Sequence, residues 1–252
     1  MRRLQRLGRA TVREAVGQNG DEMTRVDPDE YTRRLAAGSR SAHDPTGWFE
    51  RLYRAAEGGE AVVPWDRRAP HRLLVEWVER NRPSGRGLRA VVVGCGFGAD
   101  AEYVSSLGYD TLAFDIAPTA VDAARRRFPG SNVEYVAADL LDPPAEWRHA
   151  FDLVVESLTV QSLPVHLHPR AVDGVRQMVR PGGTLVVIAS ARNEQASGDE
   201  GPPWPLTRAE VESFASGGLR TVRVEEIADE LQPTIRRWRA EFRRDGLDQA
   251  RG

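Results

Sequence analysis

Val91-Val92-Val93-Gly94-Cys95-Gly96-Phe97-Gly98 is a β-branched run that stops abruptly in a loop carrying three glycines. Valines without polar alternation suit a central strand of a parallel sheet, buried on both faces. Gly94 and Gly96 let the backbone come close to a ligand. Ala99 to Leu107 then reads as a helix, with Gly108 past its end, where a left-handed residue is wanted. A glycine loop by itself can be purely conformational. Here the next strand, Thr111-Leu112-Ala113-Phe114, ends in Asp115, at about the 20-residue offset where a carboxylate accepts hydrogen bonds from ribose hydroxyls. The two elements together indicate a nucleoside site.

Ala99 and Asp100 stand where the third glycine of a pyrophosphate-binding loop would fall, which argues against NAD and for a cofactor without phosphates. At this point Val93-Gly94-Cys95-Gly96-Phe97-Gly98 resembles the first motif of the class I S-adenosylmethionine-dependent methyltransferases, departing from it at Val92, where many members carry an acidic residue.

Outward from this loop, strand and helix alternate. Pro118 to Phe128 is an amphipathic helix with Val121, Ala124 and Phe128 inward. Val133 to Ala137 is a third strand that leads into Ala138-Asp139-Leu140-Leu141, and Phe151 to Glu156 a fourth, after the irregular Asp142-Pro143-Pro144. Ser157 to Pro164 reads as a loop, and Pro169 opens a helix through Val179. Arg180-Pro181-Gly182-Gly183 reads as a sharp stop before strand Thr184 to Ala189. This predicts an α/β fold with a doubly wound parallel sheet and right-handed crossovers. After the rigid Gly201-Pro202-Pro203-Trp204-Pro205, Thr207 and Glu210 form a capping box for a helix to Phe214. Leu219 to Ile227 and Ile235 to Arg243 then alternate like strands, with Trp238, Ala240 and Phe242 on one face and Arg237, Arg239, Glu241 and Arg243 on the other. They predict an antiparallel hairpin at one sheet edge, the ending of the seven-stranded methyltransferase fold.

Upstream, residues 1–45 show little periodicity beyond a short helix around Thr11 to Val16 and read as a flexible tail. From Thr46 a capped helix places Phe49, Leu52, Tyr53 and Ala56 at helical spacing, with Trp48 in its first turn, and Gly58-Gly59 ends it. Pro64-Trp65-Asp66 lies in a loop, and His71 to Asn81 forms a second helix with Leu74, Trp77 and Val78 on one face. Residues 46–85 are thus expected as an N-terminal helical lid over the strand ends, shielding a cofactor from water, and 46–246 as one cofactor-binding domain.

Composition narrows the partners. Charged residues are 29% of the 252-residue chain and sum to a formal charge of -2, which leaves no basic field for nucleic acid. Every basic residue other than histidine is arginine, a bias expected of a GC-rich bacterial genome. The lone cysteine, Cys95, excludes an internal disulfide or a multi-cysteine zinc site. No apolar run approaches the roughly 18 to 20 residues that span a bilayer, and no apolar signal core is present, so a cytoplasmic protein acting on a small molecule is expected. His166 and His168 could be a metal pair or a general base. Without a third ligand nearby they read as surface or capping residues, and no metal is expected.

From Trp48 to about Glu226 the chain is similar to the thiopurine, thiol and halide methyltransferase branch. The similarity rests on Trp48-Phe49-Glu50-Arg51-Leu52-Tyr53, Pro64-Trp65-Asp66, Gly94-Cys95-Gly96, Phe114-Asp115-Ile116, Ala138-Asp139-Leu140 and Gly201-Pro202-Pro203-Trp204. The resemblance implies that Trp48 and Trp65 lie by the cofactor with Gly94 and Gly96. It further implies that Asp115 holds the ribose, that Asp139 with Leu140 addresses adenine, that Ile116 and Ala138 beside them also bind the cofactor, and that Glu156 lies near the methionine end. Ser157 stands where the mammalian thiopurine enzymes usually carry arginine. The acceptor therefore stays open: a small soft nucleophile, a thiol first among them, an N- or O-acceptor of a specialised metabolite, or no acceptor at all in a cofactor-binding regulator.

Overall fold

The computed structural model describes residues 28–41, 44–193, 201–229 and 232–246. A seven-stranded sheet runs through it in the order β3-β2-β1-β4-β5-β7-β6. The strands are β1 (Arg89–Val93), β2 (Asp110–Asp115), β3 (Glu134–Ala137), β4 (Phe151–Ser157), β5 (Val179–Ser190), β6 (Leu219–Ala228) and β7 (Arg236–Arg244). The first five strands pair in parallel, and β7 and β6 add in antiparallel fashion at the edge, as the sequence predicts.

The continuous apolar character of β1 follows from its position. Val91 and Val93 join the core beneath α6 (His168–Met178) and α7 (Arg208–Glu212). Ala90 and Val92 join the opposite core under α3 (Arg72–Asn81), α4 (Ala99–Ser106) and α5 (Pro118–Arg127). Both faces are covered, so no polar alternation is tolerated. The two faces of β7 differ: Trp238, Ala240 and Phe242 enter the first core, whereas Arg239 is buried against α3, bonding Glu76 at 2.8 Å and Glu225 at 3.0 Å. Arg180 to Gly183 does not stop the chain before β5. The stretch lies inside the strand as a bulge, with Phe151 opposite Val179 and Leu153 opposite Thr184. The helix after Thr207 closes at Glu212, and its capping box is present.

The expected tail needs correction. Its residues 28–41 form α1 (Pro28–Ser41), in which Ala36 and Ser39 are buried against α2 (Gly47–Glu57). The segment is short of large apolar side chains because most of what it buries is small or polar, which is why periodicity misses it. The short helix expected near Thr11 falls outside the described residues. Thr46 precedes α2 but makes no cap bond, and Asp44 Oδ1 instead accepts from Gly47 N at 2.9 Å. No described helix is long and apolar enough to cross a membrane.

Candidate functional site

The carboxyl ends of the parallel strands open into a cavity of about 450 Å³, roofed by α1, α2 and the segment from Pro64 to His71. Of the residues expected at a cofactor site, Trp65, Gly94, Gly96, Asp115, Ile116, Ala138, Asp139 and Leu140 lie on its wall, and Trp48 and Glu156 do not.

The floor is set by backbone geometry. Gly94 and Gly96 adopt φ of +59° and +51°, a region that a residue with a Cβ enters at a cost. A Cβ on Gly94 would also run into the Thr159 side chain, whose Oγ1 donates to Val93 O at 2.9 Å. Asp115 ties this loop to α5: Oδ2 accepts from Gly96 N at 2.9 Å and Oδ1 from Ala117 N at 3.0 Å. Burial pushes its pKa up to about 6, against the opposing pull of those amides, so it is ionised at neutral pH. Each oxygen keeps lone-pair capacity for a hydroxyl donor. At the β3 end Asp139 Oδ1 accepts from Leu141 N at 2.8 Å, and Ile116 and Leu140 supply apolar wall.

The roof is aromatic. Trp65 Nε1 donates to Tyr53 Oη at 2.9 Å, and its ring meets those of Phe49 and Tyr53 edge-on. Trp48 is only 1% exposed and stacks on Phe49 at 3.9 Å between centroids. Its role is to back the ring that does line the cavity, since a large aromatic in the first turn of a buried helix finds more contact in the interior than at the wall. Polar latches hold the roof down. Glu50 accepts from Thr119 N and Thr119 Oγ1 at 3.1 and 2.7 Å, and Asp66 takes a bidentate pair from Arg127 at 2.9 and 2.7 Å.

Glu156 is fully buried behind the wall. Its Oε1 accepts from Thr159 N and Val160 N at 2.7 and 2.9 Å, which fixes the turn that packs on Gly94, while Oε2 meets no donor among the described residues. Burial pushes its pKa up to about 7. Neither His166 nor His168 lines the cavity. His166 is exposed, and His168 is buried between Glu210 (2.8 Å) and Leu163 O (2.9 Å), tying α6 to α7. Among the described residues no group of His, Cys, Asp and Glu could hold a metal ion.

Several wall residues escaped sequence reasoning. Phe49 and Tyr53 sit one turn apart on the α2 face that reads as core. Asp100 and His71 join through His71 N, which donates to Asp100 Oδ1 at 2.6 Å. Thr32 comes from the expected tail and Arg237 from the hairpin. The i, i+4 aromatic pair is the one signal that could have marked any of them.

Residues 91–187 match the family model described as a methyltransferase domain. An O-methyltransferase of ubiquinone biosynthesis from Sinorhizobium medicae is 30% identical over 182 residues, 69% of this chain and 68% of that one. A probable thiol methyltransferase from Arabidopsis thaliana is 26% identical over 175 residues, 68% of this chain and 72% of that one. Among solved structures, the N-methyltransferase NodS of Bradyrhizobium japonicum in complex with S-adenosylhomocysteine superposes with a TM-score of 0.57 at 19% identity, over 77% of this chain and 98% of that one.

Proposed function

This chain belongs to the class I S-adenosylmethionine-dependent methyltransferases, and from that premise we propose that its acceptor is a small soft nucleophile, a thiol first among the candidates. Bound S-adenosylmethionine supplies a methyl group on a sulfonium with its own leaving group, so the protein needs to bind, align and exclude water rather than activate a leaving atom. In this reading Asp115 accepts from the ribose hydroxyls. Asp139, with Ala138, Leu140 and Ile116, encloses adenine, and Gly94 and Gly96 let the backbone approach the methionyl arm. Phe49 and Trp65 turn aromatic faces to the positive centre. Trp48 and Glu156 act from behind, bracing Phe49 and the Thr159 turn. Residues 46–85, joined by α1, form the lid, and 46–246 the catalytic domain.

One observation carries the choice of a soft acceptor: the titratable groups on the wall are already engaged or held in their neutral form. Tyr53 is pushed well above its ordinary pKa by burial and accepts from Trp65. Burial likewise raises the Cys95 thiol. Asp66 is held by Arg127, and Asp100 accepts from His71 N. His71 Nδ1 accepts from Leu73 N at 3.2 Å, so its proton sits on Nε2 and it cannot take another from substrate; burial lowers its pKa to about 3. A thiol ionises near a pKa of about 8.5 and needs no such base.

O-methylation is the runner-up, favoured by the 30% identical O-methyltransferase. The test is turnover of radiolabelled S-adenosylmethionine over matched thiols, phenols and amines. We expect thiols to dominate, with rates at subsaturating thiol rising with pH toward the acceptor's pKa. Methylation of a phenol or amine with none of any thiol refutes the sulfur reading.

A further inference from the structure

Past the glycine loop the cavity continues toward β4, β5 and β7, and there its wall turns basic. Arg237, at the start of β7, donates from Nη1 to Ser190 Oγ at 3.0 Å. Its Nε is buried 3.8 Å from Asp229 Oδ2 and finds no hydrogen-bond acceptor among the described residues. His71 is only 6% exposed, and with Nδ1 taken by Leu73 N its Nε2 carries the proton. That Nε2 is also buried without a partner among the described residues. Arg67 lines the same cavity, and its charge acts on both Arg237 and His71. A buried N–H without an acceptor is a costly arrangement that native folds rarely keep without a reason. Here two such donors border one cavity, beside two guanidinium groups; among the described residues the carboxylates at this corner are Asp229, 3.8 Å from Arg237 Nε, and Asp100, already held by His71 N.

We propose that this corner is an anion subsite for the acceptor. The methyl acceptor carries a carboxylate that Arg237 and Arg67 neutralise and that the His71 Nε2–H bonds, so the substrates are small mercapto acids rather than neutral thiols. The proposal rests on the thiol reading only for the sulfur atom. Asp115 lies on β2 and Arg237 on β7, four strands along in the sheet order, while His71 N is held to Asp100 just past the glycine loop, so the test separates the acceptor's carboxylate from the cofactor's own.

The experiment compares 3-mercaptopropionate with 3-mercaptopropanamide, close in size but charged and neutral at the remote group, with rates compared at equal thiolate concentration. We expect kcat/KM to favour the acid by about tenfold or more, the size of one charge-assisted hydrogen bond. The preference should fall toward unity in Arg237→Gln through KM, while the affinity for S-adenosylhomocysteine by calorimetry is kept. Arg67→Gln, at an exposed position where folding is not at risk, should lower the preference in the same direction. Equal use of acid and amide by the wild-type protein overturns the proposal. So does a parallel loss of S-adenosylhomocysteine affinity in Arg237→Gln, which would assign the corner to the cofactor's own carboxylate. If neither thiol is methylated, the sulfur reading has failed on its own, and the subsite is read from binding of butyrate against butyramide to the protein saturated with S-adenosylhomocysteine. Tighter butyrate binding that Arg237→Gln removes supports the anion site, and equal binding refutes it.

Discussion

Along β1, β2 and β3 the cavity wall is made of consecutive residues at strand ends, Gly94 to Gly98, Asp115 with Ile116, and Ala138 to Leu140, and its geometry is held largely by backbone amides. Across β4, β5 and β7 the wall is made of side chains from unconnected segments: Ser157, Ser190 and Arg237 from the strands, His71 from the start of α3, and Pro202 and Pro203 from the loop before α7. The first kind of wall survives wide sequence change, because a backbone amide is the same in every relative. The second changes with each side chain. A fold can therefore be shared at 19 to 30% identity among proteins named as O-, N- and thiol methyltransferases, whose acceptors differ from one another.

This contrast can be broken most directly at Gly94. Gly94→Val forces a β-branched residue into φ of +59° against Thr159. At about 1 to 3 kcal/mol of backbone strain, with the displaced turn in addition, S-adenosylhomocysteine affinity should fall by about 100-fold or more in calorimetry. Unchanged affinity would mean that the loop is not held by its backbone conformation. Asp115→Ala should come next, about 10- to 100-fold weaker, since a hydrogen bond to a charged acceptor contributes roughly 1.5 to 3 kcal/mol. The wild-type affinity should itself decline as the pH drops below about 6, where this carboxylate takes up its proton.

A pH test sharpens the comparison from the side of stability. Glu156 titrates near 7 in the folded protein, raised from 4.5 by burial. Folded and unfolded chains are both protonated below the lower value, and above the upper one the folded chain carries a buried charge. Stability from this group is thus fully present at acid pH and lost as the pH rises through about 7. Asp115, raised in the same direction, adds to the trend at lower pH. Glu156→Gln keeps an acceptor for Thr159 N and Val160 N, so its thermal midpoint should exceed that of wild type at pH 8 and the gap should close by pH 5. A gap independent of pH would show that Glu156 carries no titrating cost.

Smaller effects distinguish wall from support. Trp65 lines the cavity and Trp48 does not, so Trp65→Phe should remove most of the fluorescence response to S-adenosylhomocysteine and Trp48→Phe little of it. The reverse result would put Trp48 on the wall. Smallest of all, His166→Ala should leave turnover within about twofold, against the roughly 10² to 10⁴-fold that an essential base contributes.

The legible part of the molecule is the part governed by local rules. Val91 to Val93 must be a strand covered on both faces, and the turn after it must be glycine, so the doubly wound sheet and the wall at the ends of β1 and β2 are legible in sequence spacing, whereas Glu156 at the end of β4 stays off the wall. The β6–β7 hairpin follows equally from the alternation of Trp238, Ala240 and Phe242 with arginine and glutamate. Periodicity, however, registers burial without saying what covers a face. Phe49 and Trp48 carry the same signal in adjacent positions, yet one ring lines the cavity and the other backs it. Arg237 and Arg239 alternate identically on one face of β7, yet the first borders the cavity and the second is locked to Glu76 and Glu225 beneath α3. The sequence by itself determined the class of fold and the glycine-turn wall at the ends of β1 and β2, because those depend on backbone conformation encoded within a few residues. Only the tertiary structure decided which side chains meet at the other end of the cavity, because that depends on how α1, α3 and β7 pack across the sheet, a relation between segments that no local pattern records.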